Sequence, residues 1–199
     1  MSKVCANWKW EHNATMIERG RIILSWHPRK YHFNPILKTG QLLHGEVKHL
    51  PTNRNFFLTL VYGRNLEDQR LPLWEALGLI ALSLDDPYFV LGDFNSVLRM
   101  GETIGGVEVT KCETKDFATC ITHNGLQELQ YEAPFFTWTN KKIWSRIDRA
   151  FHNEFWYECL AYIHIHYKPQ GLSDHTPIIL GFPHYPKPKN LFQFCEIWT

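Results

Sequence analysis

The stretch YFVLGDFNSVL, residues 88–98, constrains the fold most. Tyr88, Phe89, Val90 and Leu91 form an unbroken apolar run of strand length, the pattern of a strand covered on both faces. Such a strand needs one layer above it and another below. Gly92 ends the run, and Asp93, Phe94 and Asn95 follow at once. A carboxylate and a carboxamide thus stand at the mouth of a buried strand. Taken alone, the G-D-x-N string reads as a turn as readily as a site, because Asp and Asn are ordinary turn formers.

The rest of the chain alternates strand patterns with a few helices. GRIILSWH (20–27) and GQLLHGEV (40–47) read as strands around the loop PRKYHFNPILKT, and NFFLTLVYG (55–63) as a third strand. Residues 66–84 read as a helix: Leu73, Leu77, Ile80 and Leu84 fall near helical spacing, Glu67 and Asp68 suit its N-terminus, and Pro72 fits the first turn. Residues 113–126 read as a second helix, with Thr114 as its cap and Asn124-Gly125 as its stop. GETIGG (101–106) is a loop by its glycines. The strands LQELQ, FFTWTN (135–140), IWSRIDRAF (143–151), YIHIHY (162–167) and TPIILGF (176–182) follow, with a short helix at NEFWYECL (153–160). Many strands with interspersed helices predict a mixed α/β layered domain over residues 1–183. The Pro- and Lys-rich residues 184–199 read as a C-terminal linker.

Composition narrows the function classes modestly. The chain has 44% hydrophobic residues and 15% aromatics, enough for a packed core. Its net charge of +1 announces no nucleic-acid binder, although a local basic groove is compatible with neutrality. The five cysteines are odd in number and none are spaced C-x-x-C, so neither a disulfide framework nor a zinc ribbon is indicated, and reduced thiols in an intracellular protein are expected. The stretch MSKVCANWKWEHN lacks the apolar h-region of a secretory signal, and no window has the apolar length of a membrane span. His164 and His166 share one face of a strand, but no third metal ligand is placed nearby by the sequence.

Polar residues cluster just after apolar strands: Tyr62 and Asn65, Asp93 and Asn95, Asp148, then Ser173-Asp174-His175. Strand ends are where layered α/β proteins build sites. The residue types are chemically coherent. Asp93 can orient water, Asn95 can donate to an anionic oxygen, and a histidine held by a carboxylate can be aimed at a phosphate. Asp174 can contribute to a hard cation such as Mg²⁺. Together they describe metal-assisted attack of water on a phosphoester. The bland readings are a turn at Asp93–Asn95, a surface ion pair for Asp148 between Arg146 and Arg149, a loop position for His175, and core packing for Tyr62 and Trp138.

The ordered set VYGRN, VLGDFNSVL, FTWTN, SRIDRAF and LSDHTPIIL resembles the endonuclease/exonuclease/phosphatase superfamily. With GETIGG, it is most similar to the apurinic-endonuclease-like endonuclease domain of plant LINE-type (non-LTR) retrotransposons. The resemblance covers about Gly20 to Phe182. It implies a DNase I-like four-layer α/β/β/α sandwich of two mixed sheets. It also implies Mg²⁺- or Mn²⁺-dependent hydrolysis of DNA phosphodiesters, with a nuclear place of action and no membrane. By position, Asp93 matches the carboxylate that activates water, Asn95 a phosphate-holding amide, and Tyr62 and Asn65 contacts to the scissile phosphate. Asp174 matches a carboxylate at the metal, His175 the catalytic histidine, and Asp148 the acid that orients it. Trp138 and Arg146 are the expected substrate contacts, within a stretch holding Lys141, Lys142, Arg146 and Arg149.

The family pattern opens with two further strands, the second carrying the principal metal-ligand Glu. No residue here matches it: Asn7 and Glu11 follow no apolar strand. The expectation is a family member lacking its first strands, with weak metal binding, weak or lost activity, and an exposed sheet edge. Two other functions fit the residues: a superfamily phosphatase acting on lipid or inositol phosphates, and a non-catalytic degenerate fragment that binds nucleic acid weakly.

Overall fold

The computed structural model describes residues 7–14, 21–132, 134–156 and 164–181. Its backbone is a six-stranded sheet of β3 (Tyr31–Lys38), β4 (Leu42–His49), β5 (Arg54–Tyr62), β6 (Tyr88–Asp93), β12 (Asp148–His152) and β8 (Gln127–Glu128), in the spatial order β3-β4-β5-β6-β12-β8. β5 and β6 are parallel and joined through α1 (Leu71–Leu82), while β6 and β12 are antiparallel. The sheet is therefore mixed, and the parallel pair lies at its centre, where strands are apolar throughout.

Alternation along these strands assigns the two faces. Phe57, Val61, Val90 and Phe151 point to one face and pack with α1 and α2 (Lys111–His123). Phe56, Leu58, Leu60, Phe89, Leu91 and Ala150 point to the other. Two small sheets lie over that second face: the pair β1 (Lys9–His12) and β2 (Ile23–Trp26), and the sheet β14-β13-β9 built from Ile178–Gly181, His164–Tyr167 and Tyr131–Glu132. Ile22, Leu24 and Trp26 cover β3–β5, whereas Ile165, Tyr167 and Ile178 cover β6 and β12. A third small sheet, in the order β10-β11-β7 (Trp138–Thr139, Trp144–Ser145 and Thr103–Ile104), lies beyond the start of β12. The result is the mixed, DNase I-like α/β architecture that the sequence predicts.

Several local expectations need correction. The loop expected between the first two strands is the edge strand β3. Pro35 is tolerated there because one side of an edge strand has no partner, and the register shifts between Pro35 and Leu37. The second helix starts two residues before the expected segment. Thr110 caps it, not Thr114, in a capping box with Glu113. The GETIGG loop holds a 3-10 turn and β7. The first helix begins with a 3-10 turn and carries Pro72 in its first turn, as expected. The second half of NEFWYECL (157–160) and the 184–199 segment lie outside the described residues, as does the side chain of His164.

Candidate active site

Register brings the site together. Tyr62 on β5 is the direct neighbour of Asp93 on β6, which is the direct neighbour of Asp148 on β12. Directly paired residues point to the same face, so the three side chains form one row across adjacent strands. The row stands at the end of the second face, beyond Leu60, Leu91 and Ala150.

GDFN explains how the row ends. Gly92 has φ 144° and lies so close to β5 that a Cβ would run into the Val61 carbonyl, so only glycine fits. Phe94 points to the helix-side core, fully buried, and anchors the turn. A Cβ at Gly63 would run into the Phe94 carbonyl, which explains the matching glycine at the end of β5. Asn95 adopts φ 47°, a left-handed conformation that Asn tolerates. Its N–H donates to Asp93 Oδ1 (2.8 Å), and its side-chain amide donates to Asp93 Oδ2 (3.2 Å) and to the Gly63 carbonyl (2.8 Å). Asn95 therefore aims Asp93 in this structure.

His175 enters from the loop before β14. Its Nδ1 lies 2.9 and 3.1 Å from the Asp148 carboxylate oxygens, and its Nε2 lies 4.0 Å from Asp93 Oδ2. The bond to Asp148 outweighs the opposing effect of burial and holds the imidazole pKa above its ordinary value. Burial first, then the Asp148 charge, push Asp93 up to about 6, against the Asn95 N–H that favours its charged form. Asp93, Asp148 and His175 each offer a ligand atom within 4.8 Å of one another. Two crowded carboxylates, one with its acidity suppressed by burial and then by the other, fit a hard divalent cation, which would relieve that repulsion.

Thr137 was missed by the sequence reading, although it lies inside FTWTN. It is fully buried, and its hydroxyl accepts from the N–H groups of Ile147 (3.1 Å) and Asp148 (2.9 Å). Its carbonyl accepts from Thr176 N–H (2.7 Å). One residue thus clasps the carboxylate strand to the histidine loop. Trp138 serves the same clasp: its indole N–H donates to Asp174 Oδ2 at 3.1 Å. Asp174 is exposed and stands outside the three-ligand cluster. Asn65 is exposed, and its carbonyl accepts from the buried Arg70 (2.9 Å), which also holds the Arg64 carbonyl (3.0 Å).

Arg146 is not available to a substrate as expected. It is 1% exposed, packs 3.7 Å from the Tyr131 ring centroid and pairs with Glu128 at 2.7 Å. Arg149 is fully buried and paired with both Glu128 and Glu102. Glu102 also accepts from the N–H groups of Leu98 (2.7 Å) and Arg99 (2.9 Å). Asp148 therefore pairs with His175, while its two arginine neighbours in the sequence belong to a buried ionic network. Lys141 and Lys142 remain exposed.

The family model for the Endonuclease/Exonuclease/phosphatase family matches residues 18–175. The chain belongs to that family. No curated protein sequence matches the chain. Among solved structures, the chain resembles the endonuclease domain of TRAS1, a telomere-specific non-LTR retrotransposon, with a TM-score of 0.69 and 13% identity over 87% of this chain and 77% of that one. It resembles humanized D. rerio TDP2 with a TM-score of 0.54 and 11% identity over 89% and 77%. The values for a Bacteroides thetaiotaomicron mannosyl-6-phosphatase are 0.53 and 13% over 89% and 78%. At these identities the likeness shows the fold.

Proposed function

We propose that this family member is an endonuclease domain of a plant LINE-type retrotransposon that hydrolyses DNA phosphodiester bonds. The carrying observation is the row Tyr62–Asp93–Asp148 with His175 held on Asp148. The higher TM-score to a retrotransposon endonuclease than to the phosphatase supports the choice of substrate class. The place of action would be the nucleus.

In this reading Asp93, with a pKa of about 6, is mostly ionised near neutral pH and orients the attacking water. Asp148 favours the protonated form of His175, which donates from Nε2 to a phosphate oxygen, stabilising the charge that grows there. Asp93 and Asp148, with His175 beside them, would hold Mg²⁺ or Mn²⁺, which when bound supplies Lewis-acid polarisation of the phosphate. The exposed carboxylate of Asp174 is the further oxygen donor of this reading.

Over the second face, between β2 and Trp156, lies an apolar cavity of about 290 Å³, lined by residues including Leu58, Leu60, Phe89 and Leu91.

Nicking of supercoiled plasmid in Mg²⁺ tests the reading. Slow nicking is expected, reduced to background by EDTA, by Asp93→Ala and by His175→Ala. Nicking that survives both substitutions would remove the assigned roles.

A further inference from the structure

Arg21 is the exposed cation, among the described residues, whose guanidinium is tied to the site row. Its Nη1 donates to the Tyr62 hydroxyl at 2.8 Å, and its guanidinium carbon lies 4.9 Å from the Tyr62 ring centroid. The backbone beneath it is fixed. Ile22 is buried and exchanges hydrogen bonds with Asn13: its N–H donates to the Asn13 side chain (3.1 Å), and its carbonyl accepts from Asn13 N–H (3.3 Å). Asn13 is fully buried and also donates to the Thr39 carbonyl.

Four other arginines are engaged differently. Arg146 and Arg149 are neutralised by Glu128 and Glu102, Arg99 lies 4.0 Å from Glu102, and Arg70 is spent on backbone carbonyls. Arg21 has no carboxylate within ion-pair distance among the described residues, and its partner is the Tyr62 hydroxyl. Among those residues its charge is not compensated, yet the side chain is held. An ordinary exposed arginine must lose much rotamer freedom to grip a ligand, whereas one pinned over a ring has already lost part of it.

The neighbouring charges say what it grips. The row beside Tyr62 carries Asp93 and Asp148, which repel an incoming anion. A planar guanidinium with free donors at the Tyr62 end matches a phosphate oxygen pair. We propose that Arg21, aimed by Tyr62, is a substrate-binding residue that seats a phosphate group of the substrate at that end of the row. The assignment rests on the phosphoester reading above.

Binding without turnover tests it. Wild type, Arg21→Ala, Arg21→Lys, Tyr62→Phe and the Arg21→Ala/Tyr62→Phe double variant are titrated in EDTA with a duplex oligonucleotide over a series of salt concentrations. Inorganic phosphate is titrated separately by calorimetry. Arg21→Ala is expected to weaken DNA binding about tenfold and to lower the slope of log K against log salt by about one. Arg21→Lys should keep the slope and lose part of the affinity. The loss in the double variant should be smaller than the sum of the single losses, because freeing Arg21 from Tyr62 already spends part of its effect. Unchanged affinity and slope in Arg21→Ala would overturn the assignment, as would a wild type that binds neither probe. If DNA does not bind but inorganic phosphate does, and Arg21→Ala abolishes that binding, the DNA reading fails and the phosphate seat stands.

Discussion

The two faces of the central sheet are built from alternate residues of the same strands, yet they are finished to different degrees. On the helix side, Phe94, Phe117 and Trp74 stack at centroid distances of 4.9 to 6.4 Å, and Phe151 meets Phe94 and Phe117 edge-on. On the other side, the cover is split into two small sheets, and an apolar cavity lies between β2 and Trp156. Trp26 and Trp156 line that cavity, and the indole N–H of each has no hydrogen-bond partner among the described residues. The candidate site lies at the rim of the more open face. The rigid half therefore fixes where Asp93 and Asp148 emerge, and the open half decides what else reaches them.

The largest test of this contrast is a pair of truncations. Phe117→Ala removes a fully buried ring from the closed face and should cost about 3–5 kcal/mol. Leu58→Ala on the open face should cost about 1–2 kcal/mol, because Leu58 is only partly buried and already borders a void. Urea unfolding of both variants reads the difference. Equal costs would mean that the open face is as tightly packed as the other.

The same asymmetry governs what the sequence revealed. The closed face and the row were legible because they follow local rules: the apolar run of β6, the glycine that only close strand approach requires, and the polar residues directly after it. The ionic network was not legible. Arg149 meets Glu102 across 47 positions of sequence, and nothing local distinguishes that pair from solvated charges. Thr137 was overlooked for a related reason: its hydroxyl serves backbone N–H groups ten and eleven residues away. β3 was misread because Pro35 argues against a strand unless the strand is known to lie at an edge.

A second contrast should appear in pH titrations of stability, measured in EDTA. On the closed face, burial lowers His44 from 6.5 to about 4. Between those values the unfolded chain holds the proton and the folded chain does not, so stability falls as pH drops through the window, by about 3 kcal/mol. His152 is lowered by burial too, but it stands on the other face, beside Phe89 and in line with Ala150. At the open face Asp93 is raised from 3.8 to about 6. Its stabilising contribution is fully present below 3.8 and is lost as pH rises to about 6, again by about 3 kcal/mol. His175, raised by Asp148, likewise contributes below 6.5 and loses that contribution as pH climbs through its folded value. The His44 and Asp93 contributions oppose each other between about pH 4 and 6. Relative to wild type, Asp93→Asn should make stability rise more steeply with pH across that range, and His44→Gln less steeply. Parallel curves for the two variants would refute the opposition.

The smallest effect bears on the cavity itself. A buried donor without an acceptor carries an uncompensated desolvation cost, so deleting it costs little. Trp26 packs its ring 5.6 Å from Phe33 while its N–H goes unpaired among the described residues. Trp26→Phe keeps an aromatic surface against Phe33 and removes the orphan donor. The lost ring area and the relieved donor should offset each other to within about 0.5 kcal/mol. Urea melts of Trp26→Phe against wild type read the difference. A cost well above that figure would show that the indole N–H is satisfied and that this side of the open face is as complete as the other.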